Sequence, residues 1–248
     1  SEWAEARRLI PRGTSPEPGK WRNERTPYLA EPMDAFSDVR VETVVCMMSS
    51  QVGKTETFLN VIGYYADHEP SPILVVQPVD HMKEAFSKER VDPMFRESPA
   101  LRDKLEQGSE TRGPGRKSKS SNTIEIKHFP GGYIAFAASR TASGLSTRPI
   151  RIVLLDEVDR YGTTKEGDPI RLAIQRSERF YNRKIGLIST PTIQGQSNIE
   201  AWFEKSDKRL FWVPCVHCGE FHVLEWRNVI WEKDRPETAT LVCPHCEG

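Results

Sequence analysis

Gly53-Lys54-Thr55 stands between an apolar run, Val41–Met48, and a second one, Thr57–Tyr65. A glycine, an ammonium and a hydroxyl where a strand meets a helix are the groups that hold a phosphate. Backbone N–H groups wrap the phosphoryl oxygens, the lysine neutralises the β and γ phosphates, and the hydroxyl binds magnesium. The helix start adds its positive end. The full stretch is Ser49-Ser50-Gln51-Val52-Gly53-Lys54-Thr55-Glu56, and Met48 stands where the pattern G-x-x-x-x-G-K-[ST] has its first glycine. By itself the stretch divides evenly between a phosphate loop and a surface turn that reads Gly-Lys-Thr.

Asp156-Glu157 breaks the tie. Ile152-Val-Leu-Leu155 precedes the pair, so two carboxylates emerge at the C-terminal end of a buried strand, where open α/β sheets bind ligands. Asp156 is the magnesium residue expected there, direct or through water, and Glu157 the general base that polarises the attacking water. A solvated acidic strand end is the bland alternative. The two motifs in this order, each at the end of an apolar strand, point to hydrolysis of a nucleoside triphosphate. Ser189-Thr190-Pro191 closes the next apolar strand, where small hydroxyls could sense the γ-phosphate. Cys215, Cys218, Cys243 and Cys246 form two C-x-x-C pairs, a spacing that reads as zinc before disulfides. Four thiolates close a tetrahedral shell, so the expected role is structural. His217 and His245 lie inside the pairs as competing ligands, with the cysteines favoured. Cys46 lies in an apolar run and reads as a small buried hydrophobe.

The elements that must position these groups are legible in outline. Residues 1–40, rich in Pro, Arg and Glu, read as an irregular arm. Val41–Met48, Ile73–Gln77, Arg151–Leu155 and Lys184–Ser189 read as buried strands. Helices are expected over Thr55–Asp67, over Asp80–Arg90 with Asp80 as cap, over Pro169–Tyr181, and over Ser197–Lys205 with a serine cap. Residues 123–139 read as a hairpin turned by Pro130-Gly-Gly132. Short buried strands alternating with helices mean an α/β fold with a mainly parallel sheet flanked by helices; the loop and the acidic pair make the expected type a P-loop NTPase, ASCE-type. A small β-rich, zinc-ribbon-like module follows. The expected domains are 1–40, the arm; 41–207, the ATPase core; and 208–248, the zinc module.

The 248 residues suffice for one good-sized domain and a small module. At 37% hydrophobic and 28% charged residues, a globular protein is expected, not a disordered one. No apolar run is long enough for a membrane helix, and the N-terminus has no signal-peptide core. The formal net charge of +0 gives no global pull towards nucleic acid. One local basic stretch exists: Arg112, Arg116, Lys117 and Lys119 lie in a Gly/Ser/Pro-rich loop and could meet DNA phosphates, although a solvated loop is the commoner fate of such text.

The ordered set of motifs resembles the ATPase part of tailed-phage terminase large subunits, the lambda-type branch. The resemblance runs through Arg25-Thr-Pro-Tyr28, Gln51-Val-Gly-Lys-Thr55, Phe129-Pro-Gly-Gly132, Arg148-Pro149, Leu155-Asp-Glu-Val-Asp159 and Ser189-Thr-Pro191. It ends on the cysteine pair that follows Phe211-Trp-Val-Pro214. It implies a motor that hydrolyses ATP with Mg2+ and drives double-stranded DNA into a procapsid in the host cytoplasm. The partners implied are a small terminase subunit and the portal vertex, with the motor a ring of copies when assembled; a monomer in isolation stays open. Ser189-Thr190 matches the segment that couples hydrolysis to movement, and Trp21 and Tyr28 fall at adenine-contact positions, which makes the arm over 1–40 an adenine-side lid. An arginine finger is implied, Arg148 first and Arg140 second. Two departures stand out, Met48 for glycine and Gln51 where many relatives carry arginine. Relatives also carry a C-terminal nuclease; no carboxylate cluster for one follows here, so no nuclease activity is expected of this fragment. Two other classes compete: a helicase-like or remodelling ATPase, and a zinc-ribbon nucleic-acid-binding protein whose Gly-Lys-Thr loop is inert.

Overall fold

The computed structural model describes residues 1–105, 123–141, 148–165 and 167–248. The basic stretch with Arg112, Arg116, Lys117 and Lys119 lies outside them. The chain divides into two compact units, Ser1–Ser206 and Asp207–Gly248.

The first unit begins with helix α1 (Glu2–Arg7), a hairpin of β1 (Leu9–Ile10) and β2 (Gly19–Lys20), and helix α2 (Ala30–Ala35). There follow β3 (Thr43–Met47), α3 (Lys54–Asp67), β4 (Pro72–Gln77), α4 (Asp80–Ala85), α5 (Asp92–Glu97), β5 (Ile126–Phe129) and β6 (Gly132–Ala138). The unit closes with β7 (Ile152–Asp156), α6 (Pro169–Gln175), β8 (Lys184–Ser189) and α7 (Asn198–Phe203). Six strands form one sheet in the order β3-β8-β7-β4-β6-β5. All neighbours are parallel except β5, which pairs antiparallel with β6.

Every residue of β7 and β8 is buried. Both faces of the sheet are covered, which is why these strands read as unbroken apolar runs. Side chains alternate between the faces. Ile73, Val75, Ile152 and Leu154 pack with Phe58, Ile62 and Phe95 in one core; Leu74, Val76, Val153 and Leu155 pack with Tyr161, Ile170 and Ile199 in the other. Gly186 sits in mid-strand for a packing reason: a Cβ there would lie 2.7 Å from the Phe36 ring and 2.8 Å from Phe58. The parallel arrangement brings the ends of β3, β8, β7, β4 and β6 to one edge, with Met47 beside Ser189, Asp156 beside Ile188 and Gln77 beside Ala138.

Three expectations need correction. The arm is not irregular: α1, α2 and the hairpin build a small core of Ala4, Trp21, Leu29 and Met33. Helices this short leave little periodicity and are held by tertiary packing. Helix α6 stops at Gln175 rather than Tyr181. Asp80 is the first residue of α4 and pairs with Lys83 at 2.9 Å, while Val79 takes the cap position. Beyond α4 the chain continues as a π-helical turn over Phe86–Val91.

The second unit consists of two antiparallel hairpins, β9 (Trp212–Pro214) with β10 (Phe221–Val223) and β11 (Val229–Glu232) with β12 (Arg235–Leu241). Cys215, Cys243 and His222 are its buried residues.

Candidate functional site

The phosphate-loop stretch bridges β3 and α3 at the C-terminal edge of the sheet. Met48 stays registered with the sheet through its N–H to the Ser189 carbonyl, 3.1 Å. Its side chain packs against both the main core and the arm core. That contact is a use for a side chain where the usual loop has glycine. Gln51 and Gly53 take left-handed backbone conformations, φ 60° and 78°, and the turn delivers the chain into α3 at Lys54. The first turn of a helix leaves its N–H groups without intrahelical partners, so α3 presents donors and its positive end where a phosphate would sit. The Tyr28 hydroxyl donates to the Val52 carbonyl at 2.9 Å and pins the loop to the arm.

Lys54 is 6% exposed. Its Nζ lies 3.1 Å from Glu157 Oε1, and donates to Thr190 Oγ1 at 3.0 Å and to the Ser49 carbonyl at 3.4 Å. One ammonium thus joins the loop, the acidic strand end and the Ser-Thr-Pro segment. Glu157 has φ 54°, a left-handed conformation that is strained for a side chain this size, and such strain gathers at working sites.

Asp156 is 3% exposed. Its Oδ2 accepts from Gln77 Nε2 at 3.0 Å, and its Oδ1 is buried with no partner. An orphaned carboxylate oxygen at the C-terminal end of β7, the edge that also carries the loop, fits a divalent cation. Burial pushes the Asp156 carboxyl up to about 6 from 3.8, with the Gln77 bond opposing and the Glu157 charge adding to the rise. The folded state therefore holds this proton more readily than the unfolded chain. The associated stability is present in full below pH 3.8 and is lost as pH rises through 6. Asp156→Asn is accordingly expected to melt above the wild type at pH 8, by up to roughly 3 kcal/mol, and to converge with it near pH 4. Nucleotide-free thermal melts across this range are the check, and a variant that melts lower at pH 8 refutes the burial cost.

The remaining expected residues divide. Ser189 is fully buried; its hydroxyl donates to the Thr190 carbonyl at 3.1 Å and accepts from the Asp159 N–H at 3.2 Å. The Glu56 carboxylate turns to Arg8, 2.8 Å, and to Arg90 of the π-helical turn, so it ties α3 to the arm rather than facing a nucleotide. Trp21, 4% exposed, is enclosed in the arm core with its Nε1 on Asn23, which removes it as an open adenine platform. Arg148 is at the wrong edge for its own site. Its guanidinium lies 5.7 Å from the centre of the Tyr133 ring, and Tyr133 pairs with Pro72 at the start of β4, opposite the loop. Arg140 follows Ser139, whose N–H bonds the Gln77 carbonyl at the loop edge; a Cβ on Gly162 would lie 3.5 Å from Arg140 Nε. Within one chain Arg140, and not Arg148, lies towards the edge that carries the loop.

Two groups escaped the sequence. Gln77, a polar end to the apolar run Ile73–Val76, was the available signal for an Asp156 partner. Arg160 lies 3.8 Å from Glu157 Oε2; a basic residue one turn beyond the acidic pair gave only a weak signal.

In the second unit the four cysteine sulfurs lie within 4.8 Å of one another. The approaches of 3.8 Å for Cys215 to Cys246 and 3.9 Å for Cys218 to Cys243 are far too long for disulfides. The N–H groups of His217 and His245 donate to Cys215 Sγ and Cys243 Sγ. Backbone N–H groups of Cys218 and His217 draw the Cys215 thiol down to about 6, towards the thiolate a metal takes. Tetrahedral sulfur at this spacing fits zinc.

Comparison with known proteins adds a lineage. Residues 15–248 match the family model described as "Phage terminase large subunit gpA, ATPase domain". The chain is 31% identical to the terminase large subunit of Enterobacteria phage P21 and 27% identical to that of Escherichia phage lambda. Each alignment covers 98% of this chain and 38% of the relative, so the chain spans well under half their length. The crystal structure of the HK97 bacteriophage large terminase superimposes with a TM-score of 0.59 at 14% identity, over 82% of this chain and 40% of that one.

Proposed function

The chain belongs to the phage terminase large subunit family, as its ATPase domain, and from that premise we propose that it is the ATP-hydrolysing motor that packages double-stranded DNA into procapsids. The observation that carries the reading is that Lys54 Nζ meets both Glu157 Oε1 at 3.1 Å and Thr190 Oγ1 at 3.0 Å, three residues that follow three separate strands of the sheet. A turn that reads Gly-Lys-Thr by chance has no reason to reach both.

The residues divide the work as follows. Ser49–Thr55 and the start of α3 cradle the phosphates, and Lys54 leaves Glu157 to neutralise them. Thr55 and Asp156 would hold Mg2+, which would supply positive charge against the phosphates. Glu157, once released, orients water and takes its proton. Asp156 would offer the cation its carboxylate, and Thr190 Oγ1 accepts from Lys54 Nζ at 3.0 Å. Cys215, Cys218, Cys243 and Cys246 would hold zinc as a structural group. The arm over 1–40, the core over 41–207 and the zinc module over 208–248 are the proposed working parts. Among the described residues the cysteine cluster is the only group of three or more metal-binding side chains. The small terminase subunit and the portal of a procapsid in the host cytoplasm are the proposed partners. No helix among the described residues is long and apolar enough to cross a membrane.

The position of Arg148 supports a finger supplied by a neighbouring copy in a ring. Turnover per chain is then expected to rise steeply with protein concentration, and Arg148→Ala to flatten that rise. Mixing Arg148→Ala with Lys54→Ala should restore part of the activity, because the second chain lends Arg148 to the intact site of the first. No restoration, with Arg140→Ala inactive at every concentration, assigns the finger to Arg140 within one chain. Stimulation by double-stranded DNA supports packaging; unwinding activity, or stimulation by single strands alone, moves the assignment to a helicase-like ATPase.

A further inference from the structure

The turn that follows Glu157 is fastened to two other segments by one side chain. Asp159 Oδ2 accepts from the Thr192 N–H at 2.9 Å and from the Thr192 hydroxyl at 3.0 Å. Its Oδ1 accepts from the Ile199 N–H at 2.8 Å, and its own N–H donates to the Ser189 hydroxyl at 3.2 Å. The neighbouring Val158 carbonyl accepts from Asn198 Nδ2 at 3.1 Å. The first turn of α7 therefore hangs from residues 158 and 159.

These bonds are chemically selective. Three donors converge on one carboxylate, and a charged acceptor makes such bonds roughly twice as strong as neutral ones. An amide at this position could still accept through its carbonyl oxygen, but would present N–H to donors on the other side. The far end of the link is equally fixed: Ile199 is fully buried, and Trp202 packs in the same cluster as Val45 and Met47 of β3, the strand that feeds the phosphate loop. Residues 158–160 form a tight 3-10 turn directly after the left-handed Glu157. A change in the backbone at Glu157 moves Asp159 with it.

We propose that Asp159 is the positioning residue through which the state of Glu157 and of Ser189-Thr190 reaches helix α7, making α7 the element that the ATPase site displaces. The inference rests on nucleotide binding at the loop over 49–55. A purely structural Asp159 would hold α7 equally in every nucleotide state.

Amide hydrogen exchange at Thr192 and Ile199 in the whole chain separates the two. The states compared are MgADP and a non-hydrolysable MgATP analogue, with the affinity for each nucleotide measured on the same samples. In the wild type, exchange at Ile199 is expected to differ about tenfold between the two states. In Asp159→Asn that difference should shrink below about twofold, with nucleotide affinity within about threefold of wild type and kcat down about tenfold at little-changed KM. Thr192→Val, which removes one donor and leaves the carboxylate in place, should reduce the difference at Ile199 about twofold; no reduction there overturns the proposal even if Asp159→Asn fails to fold. A full nucleotide-dependent difference persisting in a folded Asp159→Asn overturns it too. So does a wild type that binds both nucleotides and exchanges Ile199 identically in each. A wild type that binds neither nucleotide overturns the site reading itself, and the relay with it.

Discussion

Glu157→Gln is expected to bind MgATP and to lower its turnover by at least about a hundredfold, the scale of a lost general base. The structure adds a second expectation about affinity. In the structure Lys54 pairs with Glu157 at 3.1 Å in a nearly buried contact and donates a second hydrogen bond to Thr190 Oγ1 at 3.0 Å. An incoming triphosphate must win Lys54 from that carboxylate. The isosteric amide removes the competing charge, so MgATP should bind several-fold tighter to Glu157→Gln than to the wild type, while Lys54→Ala should lose nucleotide binding. Equilibrium binding and steady-state turnover on the three proteins decide the matter. Equal turnover in wild type and Glu157→Gln would remove Glu157 as the base, and normal binding by Lys54→Ala would remove the loop assignment. Absence of nucleotide binding in all three proteins would make a zinc-bearing binding protein with an inert loop the better account.

The other large effect lies in the C-terminal unit. Removing zinc with a chelator, or replacing Cys215 with serine, is expected to unfold Asp207–Gly248 and leave the α/β unit standing. The unit has almost no apolar core: Cys215 and Cys243 are the only hydrophobic residues buried in it, while Trp212, Trp226 and Trp231 are about half exposed or more. Small folds of this kind are held by a metal. Structural zinc supplies about 10–16 kcal/mol in comparable peptides, all of it folding energy. Metal analysis should find one zinc per chain. Chelation at ambient temperature should remove the far-ultraviolet signal of the C-terminal strands and shift the emission of Trp212, Trp226 and Trp231, while the melting transition of Ser1–Ser206 remains. Spectra unchanged by chelation, or a folded zinc-free unit, rule out the four-sulfur site.

The α/β architecture was legible because buried parallel strands have no alternation to misread. Lys184–Ser189 is a strand over the residues its apolar run marks, and α7 keeps its serine cap, with Ser197 Oγ accepting from the Glu200 N–H. The arm was illegible for the opposite reason. Its helices span six residues each, and what orders them is distant: Arg8 reaches Glu56, Trp3 reaches Asp67 and Tyr28 reaches Val52. Trp21 illustrates the cost, since its place along the chain could not say that the ring faces inward.

What the sequence determined alone was chemical identity and order: an ammonium and a hydroxyl after a glycine, two carboxylates after one apolar strand, hydroxyls after another, four thiols in two pairs. Residue type and local periodicity carry that information, because strand burial and loop chemistry are set within a few positions. Only the tertiary structure decided which of these groups meet. Strand order placed β8 between β3 and β7, so that Lys54 touches both Glu157 and Thr190. The same order set Arg148 on the opposite edge and made Asp159 the fastening point of α7. Contacts between residues a hundred or more positions apart depend on how the sheet is ordered, and no local pattern records that order.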